Sequence, residues 1–251
     1  LYEGDEGCSA VFLPGEPPVL GQTWDMHASA TPYVEIMRFA VTGRARCVVF
    51  SLTGCLGMAG VNELGVAVTI NNLNTPNATI GVLWPALVRL MLLQKSAADA
   101  VKVLDHFPVG SGHHYQIADA TTFYGIEALS HANTTINRWE RGALGAELTQ
   151  EGAAFHTNHC LFEGNTEVER IPDASTTFVR WEALQNKLLG AAPGDLWKIL
   201  QDPTLSMPPS PFNPHRSATC GGLLVDWSGD APRMRVARGP LTGQDGTSVA
   251  V

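Results

Sequence analysis

The sequence predicts an α+β fold in which two antiparallel sheets pack together with helices outside. Three observations carry that expectation. Segments rich in Val, Ile and Phe come in blocks, so the chain runs strands, helices, strands, helices, strands. Glycine and Asp/Asn/Ser turns punctuate the strand blocks at short intervals. Finally, 251 residues with 45% hydrophobic and 16% charged residues are enough to bury a full core in one domain.

Taken in order, Gly7-Cys8-Ser9-Ala10-Val11-Phe12 and Gly21-Gln22-Thr23-Trp24-Asp25 suit a hairpin that returns the second segment beside the first. Residues 34–42 and 47–52, with Gly43 and Gly54 after them, form the next strand pair, and 65–70 adds another. Apolar spacings of three and four predict helices over 84–93 and 96–106, the latter with Ser96 as cap and Pro108 beyond its end. The wider apolar stretch 80–93 is too short to span a bilayer and contains Pro85 and Arg89, so it reads as a buried helix. Residues 115–120, 123–129 and 134–139 form a meander, 140–151 a loop, and 153–157 a strand. The 175–189 segment places Phe178, Trp181, Leu184 and Leu188 on one helical face, and a short helix with Pro193 in its first turn follows over 193–200. Residues 207–214 carry too many prolines for regular structure and read as a loop able to wall a pocket, before strands over 218–227 and 233–238.

A net charge of −8 and a pI near 5.4 exclude nucleic acid and anionic membrane as expected partners, since both call for a basic patch. Five cysteines without a Cys-x-x-Cys pair argue against a disulfide framework and for a reduced, cytoplasmic setting. Cys47, Cys55 and Cys220 sit in apolar runs and read as small buried hydrophobes. His156 and His159, three apart on a strand-like segment, would face opposite ways, and His113-His114 offers no third ligand, so neither a metal nor a cofactor is expected.

The chemistry centres on Gly7-Cys8. A cysteine freed at its own N-terminus needs no separate base, because an α-amine with a pKa of about 7.7–8.0 can take the thiol proton. Glycine before the scissile bond would let the backbone strain as the thiol attacks the preceding carbonyl.

Cys8 with the following Trp24-Asp25, His156-Thr157-Asn158-His159-Cys160 and Arg216-Ser217-Ala218-Thr219 resembles the penicillin acyltransferase family of N-terminal nucleophile (Ntn) hydrolases, peptidase family C45. The run from Gly60 through Asn62-Glu63-Leu64-Gly65 to Asn71 is similar to the strand and oxyanion segment of that family and of the related bile-salt and penicillin V hydrolases. The resemblance implies a four-layer αββα sandwich and self-cleavage between Gly7 and Cys8. Residues 1–7 would then be a residual propeptide or α-chain tail, and 8–251 the catalytic domain. It also implies an aspartate, Asp25, that holds the nucleophile's amine, and two oxyanion asparagines, Asn71 and Asn158, with Asn72 as a neighbour able to replace Asn71. Arg216 would be the arginine beside the cysteine. The activity implied is hydrolysis or transfer of a small acyl or aminoacyl group from an amide or thioester through an acyl-Cys8 intermediate. The expected partners are a small-molecule substrate, with an acyl-CoA donor as one option, and the cleaved N-terminal α chain. Two alternatives remain open at this stage: a binding or precursor-like protein of the same fold that never matures, and a thiol hydrolase using Cys160. Trp84, Phe123, Tyr124, Phe162, Phe212 and Trp227 are candidate pocket walls, though such residues more often belong to a core.

Overall fold

Strand β1 (Gly7–Leu13) carries Cys8 and pairs antiparallel with β2 (Val19–His27), so that Cys8 faces Trp24 and Gly7 faces Asp25 across the ladder. The expected hairpin is therefore present. The computed structural model describes residues 7–76, 78–130, 132–142, 152–213 and 216–251. The 1–6 tail and most of the 140–151 loop lie outside the described residues.

Two antiparallel sheets form the centre. The first has the order β10 (Ala154–His156), β1, β2, β11 (Ser217–Asp226), β12 (Arg233–Arg238), β13 (Thr247–Ala250). The second runs in chain order from β3 (Val34–Phe39) and β4 (Cys47–Leu52) through β5 (Ala59–Asn62), β6 (Ala67–Asn72), β7 (His113–Ala118) and β8 (Thr122–Leu129) to β9 (Ala132–Glu140). Side chains alternate across each strand, so each sheet has an inner and an outer face. Three apolar clusters fill the spaces. Phe12, Leu20, Phe50, Val61, Phe123 and Val225 meet between the sheets. Val66, Val68, Tyr115 and Ile117 pack under α1 (Trp84–Met91) and α2 (Ala97–His106). Beyond the single turn α3 (Glu163–Thr166), Val11, Leu13, Phe155 and Leu224 pack under α4 (Thr177–Leu188) and α5 (Leu196–Leu200). Helix, sheet, sheet, helix is the four-layer order expected.

Local signals decide the element ends. The Ser96 hydroxyl accepts from the Asp99 N–H and caps α2. The apolar stretch 80–93 is helical only from Trp84, and Ile80 and Leu83 are exposed, which corrects the expectation of burial along its length. On α4 the buried stripe is Thr177, Arg180, Leu184 and Leu188, while Phe178 is 56% exposed. A buried arginine thus stands where the sequence pattern offered an aromatic. Among the described residues, no helix is long and apolar enough to cross a membrane.

Candidate active site

Cys8 is 6% exposed, and three polar side chains from different layers clamp its backbone. Its N–H donates to Asn158 Oδ1 at 2.8 Å. Its carbonyl accepts from Asn71 Nδ2 at 3.0 Å and from Arg180 Nη1 at 2.6 Å. Arg180 also reaches Ser9 Oγ (3.1 Å), Asn158 Oδ1 (2.7 Å, through Nη2) and Thr176 Oγ1 (3.0 Å, through Nε). With two donors converging on Asn158 Oδ1, the amide orientation is fixed, and its Nδ2 donates to the Asn72 carbonyl at 3.0 Å.

Asp25 is fully buried and accepts from Thr219 Oγ1 at 2.6 Å. Thr219 in turn holds the start of the proline-rich loop, accepting from the Met207 N–H at 2.8 Å. The register of β11 shifts between Thr219 and Gly221, opposite Asp25 and Trp24, and such a bulge re-aims side chains beside a site. Gly7 lies between the two charged groups: a Cβ built there would stand 2.9 Å from Arg180 Nη2 and 2.9 Å from Asp25 Oδ2. Its φ is not positive, so the glycine answers to space between a guanidinium and a carboxylate rather than to the backbone strain expected from sequence.

The predicted residues therefore divide. Cys8, Asp25, Asn71 and Asn158 come together around the Gly7-Cys8 bond. Arg216 does not join them: it is exposed at the foot of β11, where its carbonyl accepts from the Ala28 N–H. The arginine against Cys8 is Arg180. Asn71 gives its amide to the Cys8 and His156 carbonyls, and Asn72 is the one that lines the adjoining cavity.

That cavity, about 150 Å³, opens between the sheets beside Cys8. Trp24, Phe50, Leu52, Met58, Trp84 and Leu223 supply most of its wall; Asp25 and His113 are the acidic and basic side chains on it. Burial drives the His113 pKa down to about 4, so the ring is neutral near pH 7. Of the aromatic residues offered by sequence as pocket walls, Trp84 alone is on this lining. Cys55 also lines it and is half-buried, unlike the fully buried Cys47 and Cys220.

Behind Asn71 lies a buried polar network invisible in the sequence. His114 Nδ1 meets Asn71 Oδ1 at 3.1 Å and its ring stacks on His156 at 3.8 Å between centroids. His156 Nδ1 meets the Thr157 carbonyl at 2.8 Å, and its Nε2 meets Glu127 Oε1 at 3.1 Å. Burial opposes ionisation of Glu127, but hydrogen bonds from His156, Asn165 and the Leu161 N–H outweigh it and lower the carboxyl pKa. Glu127 thereby pins the turn that carries Asn158. Cys160, in the same turn, is 3% exposed, and burial, with the Glu127 and Glu169 carboxylates, pushes its thiol far up, against a nucleophilic role. Among the described residues, no cluster of His, Cys, Asp and Glu could hold a metal.

Solved structures share this architecture. Penicillin V acylase from Agrobacterium tumefaciens superposes with a TM-score of 0.55 at 15% identity, over 96% of this chain and 90% of that one. The N-acylethanolamine-hydrolyzing acid amidase ortholog of Caenorhabditis elegans gives 0.56 at 13% identity, over 86% and 92%. A conjugated bile acid hydrolase variant from Clostridium perfringens gives 0.55 at 10% identity, over 97% of each chain. Two facing antiparallel sheets between flanking helices, the architecture these structures share, make this an Ntn-hydrolase fold. Within that class the chain belongs to the acyl-coenzyme A:6-aminopenicillanic acid acyl-transferase family, whose model matches residues 13–218, a span that begins after Cys8. The 40 kDa form of the Emericella nidulans acyl-coenzyme A:6-aminopenicillanic-acid-acyltransferase is 24% identical over 247 residues, 95% of this chain. The chain spans 66% of that relative's length.

Proposed function

We propose that the protein is a self-processing amidohydrolase or acyltransferase that cuts its own Gly7-Cys8 bond and then carries acyl groups on Cys8 Sγ. The observation that carries this reading is the clamp on Cys8: its N–H and carbonyl are both held by buried side chains, and Gly7 sits between Asp25 and Arg180. A surface or structural cysteine needs no such arrangement.

After the cut, the Cys8 nitrogen becomes an amine. Asn158 Oδ1 and the Asp25 carboxylate attract its ammonium form, while the Arg180 guanidinium opposes it, which keeps a neutral amine accessible near pH 7. That amine takes the thiol proton; the thiolate attacks the substrate carbonyl; the returning proton goes to the leaving amine or thiol; and an acyl-thioester remains. Water or an amine then takes the acyl group.

The developing oxyanion needs donors on the cavity side of β6. Pairing of β5 with β6 ends at Gly60↔Val68, so the edge of β6 beyond Val68 faces the cavity instead of a strand. The Leu73 N–H bonds to Gly112 on the β7 side, so residues 70 and 72 direct their backbone groups to the opposite edge. The Asn72 carbonyl there accepts from Asn158. The Asn72 N–H and the second N–H of Asn158 Nδ2 are thus the donor pair this reading assigns, with Asn71 holding the nucleophile's own carbonyl. A wall this apolar, of a volume comparable with a cavity that takes benzene, favours an uncharged acyl group the size of a phenylacetyl or a six-carbon chain.

Intact mass and N-terminal sequencing of wild type and Cys8→Ala near neutral pH test the reading. A new chain beginning Cys8-Ser9-Ala10 in wild type only is expected. An uncut wild type would instead favour the non-maturing alternative.

A further inference from the structure

Gln22 is 4% exposed on β2 and lines the cavity, on the strand that also carries Asp25. Its side-chain amide makes both hydrogen bonds of a missing strand: Nε2 donates to the Ile70 carbonyl at 2.5 Å and Oε1 accepts from the Ile70 N–H at 3.1 Å. β6 needs this because β5 leaves it after Val68 to follow β4, with Ala59 opposite Phe50 and the Met58 N–H bonded to the Phe50 carbonyl. A Cβ on Gly60 would collide with the Val48 carbonyl oxygen, so glycine permits that close approach. The opening between the strands is the cavity itself, and its lip is Ile70–Asn72.

Resting on the function proposed above, we infer that Gln22 is a positioning residue for the oxyanion donor: its amide substitutes for β5 along the open edge and thereby sets where the Asn72 N–H points. The argument is one of satisfaction and spacing. A buried N–H and C=O pair with no partner is costly, so without Gln22 the strand would twist to recover partners from water or from its neighbours. Asn72 is two residues on, on the same edge, and shares any such twist directly. Gln22 itself touches neither Cys8 nor the reacting carbonyl in this scheme.

Gln22→Met and Gln22→Glu in the full chain test this, with p-nitrophenyl hexanoate turnover, iodoacetamide alkylation of Cys8 and the rate of Gly7-Cys8 cleavage as readouts. Alkylation passes through no oxyanion, so it reports the nucleophile alone. Expected for Gln22→Met is kcat down by about 10–100-fold, part of what losing an oxyanion donor outright costs, with KM and the alkylation rate within about threefold of wild type. Gln22→Glu supplies a rescue: its protonated carboxyl offers one donor and one acceptor as the amide does. Its turnover relative to wild type should therefore climb as pH falls from about 7.5 to about 4.5, a range set by the ordinary carboxyl pKa. Taking the ratio at each pH cancels titration of Cys8, Asp25 and His113, which share the cavity. If a variant stays uncut, its cleavage rate is scored in the same way, with acid recovery of Gln22→Glu supporting the inference and no recovery overturning it. Wild-type kcat in Gln22→Met, or turnover and alkylation lost together without acid recovery in Gln22→Glu, would overturn it. A wild type that never exposes Cys8, or a Cys8→Ala protein that still turns over, would instead overturn the underlying function.

Discussion

Replacing Arg180 by methionine removes four hydrogen bonds from a side chain that is 1% exposed. Two of them, to the Cys8 carbonyl and to Asn158 Oδ1, hold the proposed nucleophile and one proposed oxyanion donor. Hydrogen bonds from a charged group contribute about 1.5–3 kcal/mol each. If both act fully in the transition state, about 3–6 kcal/mol is lost, or roughly 10²–10⁴ in rate at 1.4 kcal/mol per tenfold. Folding stability should suffer less. The Cys8 carbonyl keeps Asn71, Asn158 Oδ1 keeps the Cys8 N–H, and a buried charge is removed together with its desolvation cost. The assay is the rate at which Cys8 appears as a new N-terminus, alongside the alkylation rate of Cys8 and a urea melt. Arg180→Met should cut at least about 100-fold more slowly while losing about 1–3 kcal/mol of stability, within the range of single core substitutions. Arg180→Lys should fall between, because a single ammonium cannot span acceptors that the guanidinium reaches with three nitrogens. Arg216→Ala, at an exposed position, should stay within about threefold of wild type, since surface changes seldom exceed about 0.5 kcal/mol. Cleavage at the wild-type rate in Arg180→Met, or its abolition in Arg216→Ala, would refute the assignment.

Acid should destabilise the fold well above the usual carboxylate range. Burial lowers the pKa of His113 and of His159 to about 4 and holds that of His114 well below its usual value, so these rings stay neutral in the folded state but take up protons at about 6.5 when unfolded. The unfolded chain then binds more protons over this window, and stability present above about 6.5 is lost as pH falls; between pH 7.5 and 5 the loss is about 2 kcal/mol per fully buried ring. Urea midpoints across that range should show it, and His113→Gln should remove about one ring's share; a flat profile would contradict the buried neutral state. Cys160→Ser should mature and react with iodoacetamide at Cys8 like wild type, as mass mapping of the labelled peptide would show. Trp84→Ala should enlarge the cavity and raise the kcat/KM ratio of a ten-carbon over a six-carbon p-nitrophenyl ester by about tenfold, a change of about 1.4 kcal/mol; an unchanged ratio would move the acyl group elsewhere.

The layer order was legible because it rests on apolar periodicity, which responds to burial in the same way in any fold. Cys8, Asp25 and Asn158 were legible because their local contexts are distinctive and the ladder from Gly7↔Asp25 is a short hairpin. Arg180 was not. Its neighbours Phe178 and Trp181 offered a more apolar stripe, and an arginine in a helix reads as solvent-facing unless the acceptors that justify its burial, here from β1 and from the Asn158 turn, are known. Asn71 and Asn72 could not be separated either, because adjacent strand residues face opposite ways and nothing in the sequence says which of the two turns toward Cys8. Glu127 and His114 face each other across β7 and β8, and only the stacking of the two sheets brings His156 to them.

Among the described residues, a break at Gly7-Cys8 would separate a single register pair, Gly7↔Asp25, from the rest of β1. Every later residue of β1 keeps its partner in β2, and Ala10, Val11 and Phe12 have a second neighbour in β10. On the function proposed above, such a cut would be chemically decisive and architecturally almost silent: the described scaffold would hold the same atoms, with a chain end created. Melting curves and spectra that report shape should scarcely separate the dormant form from the active one.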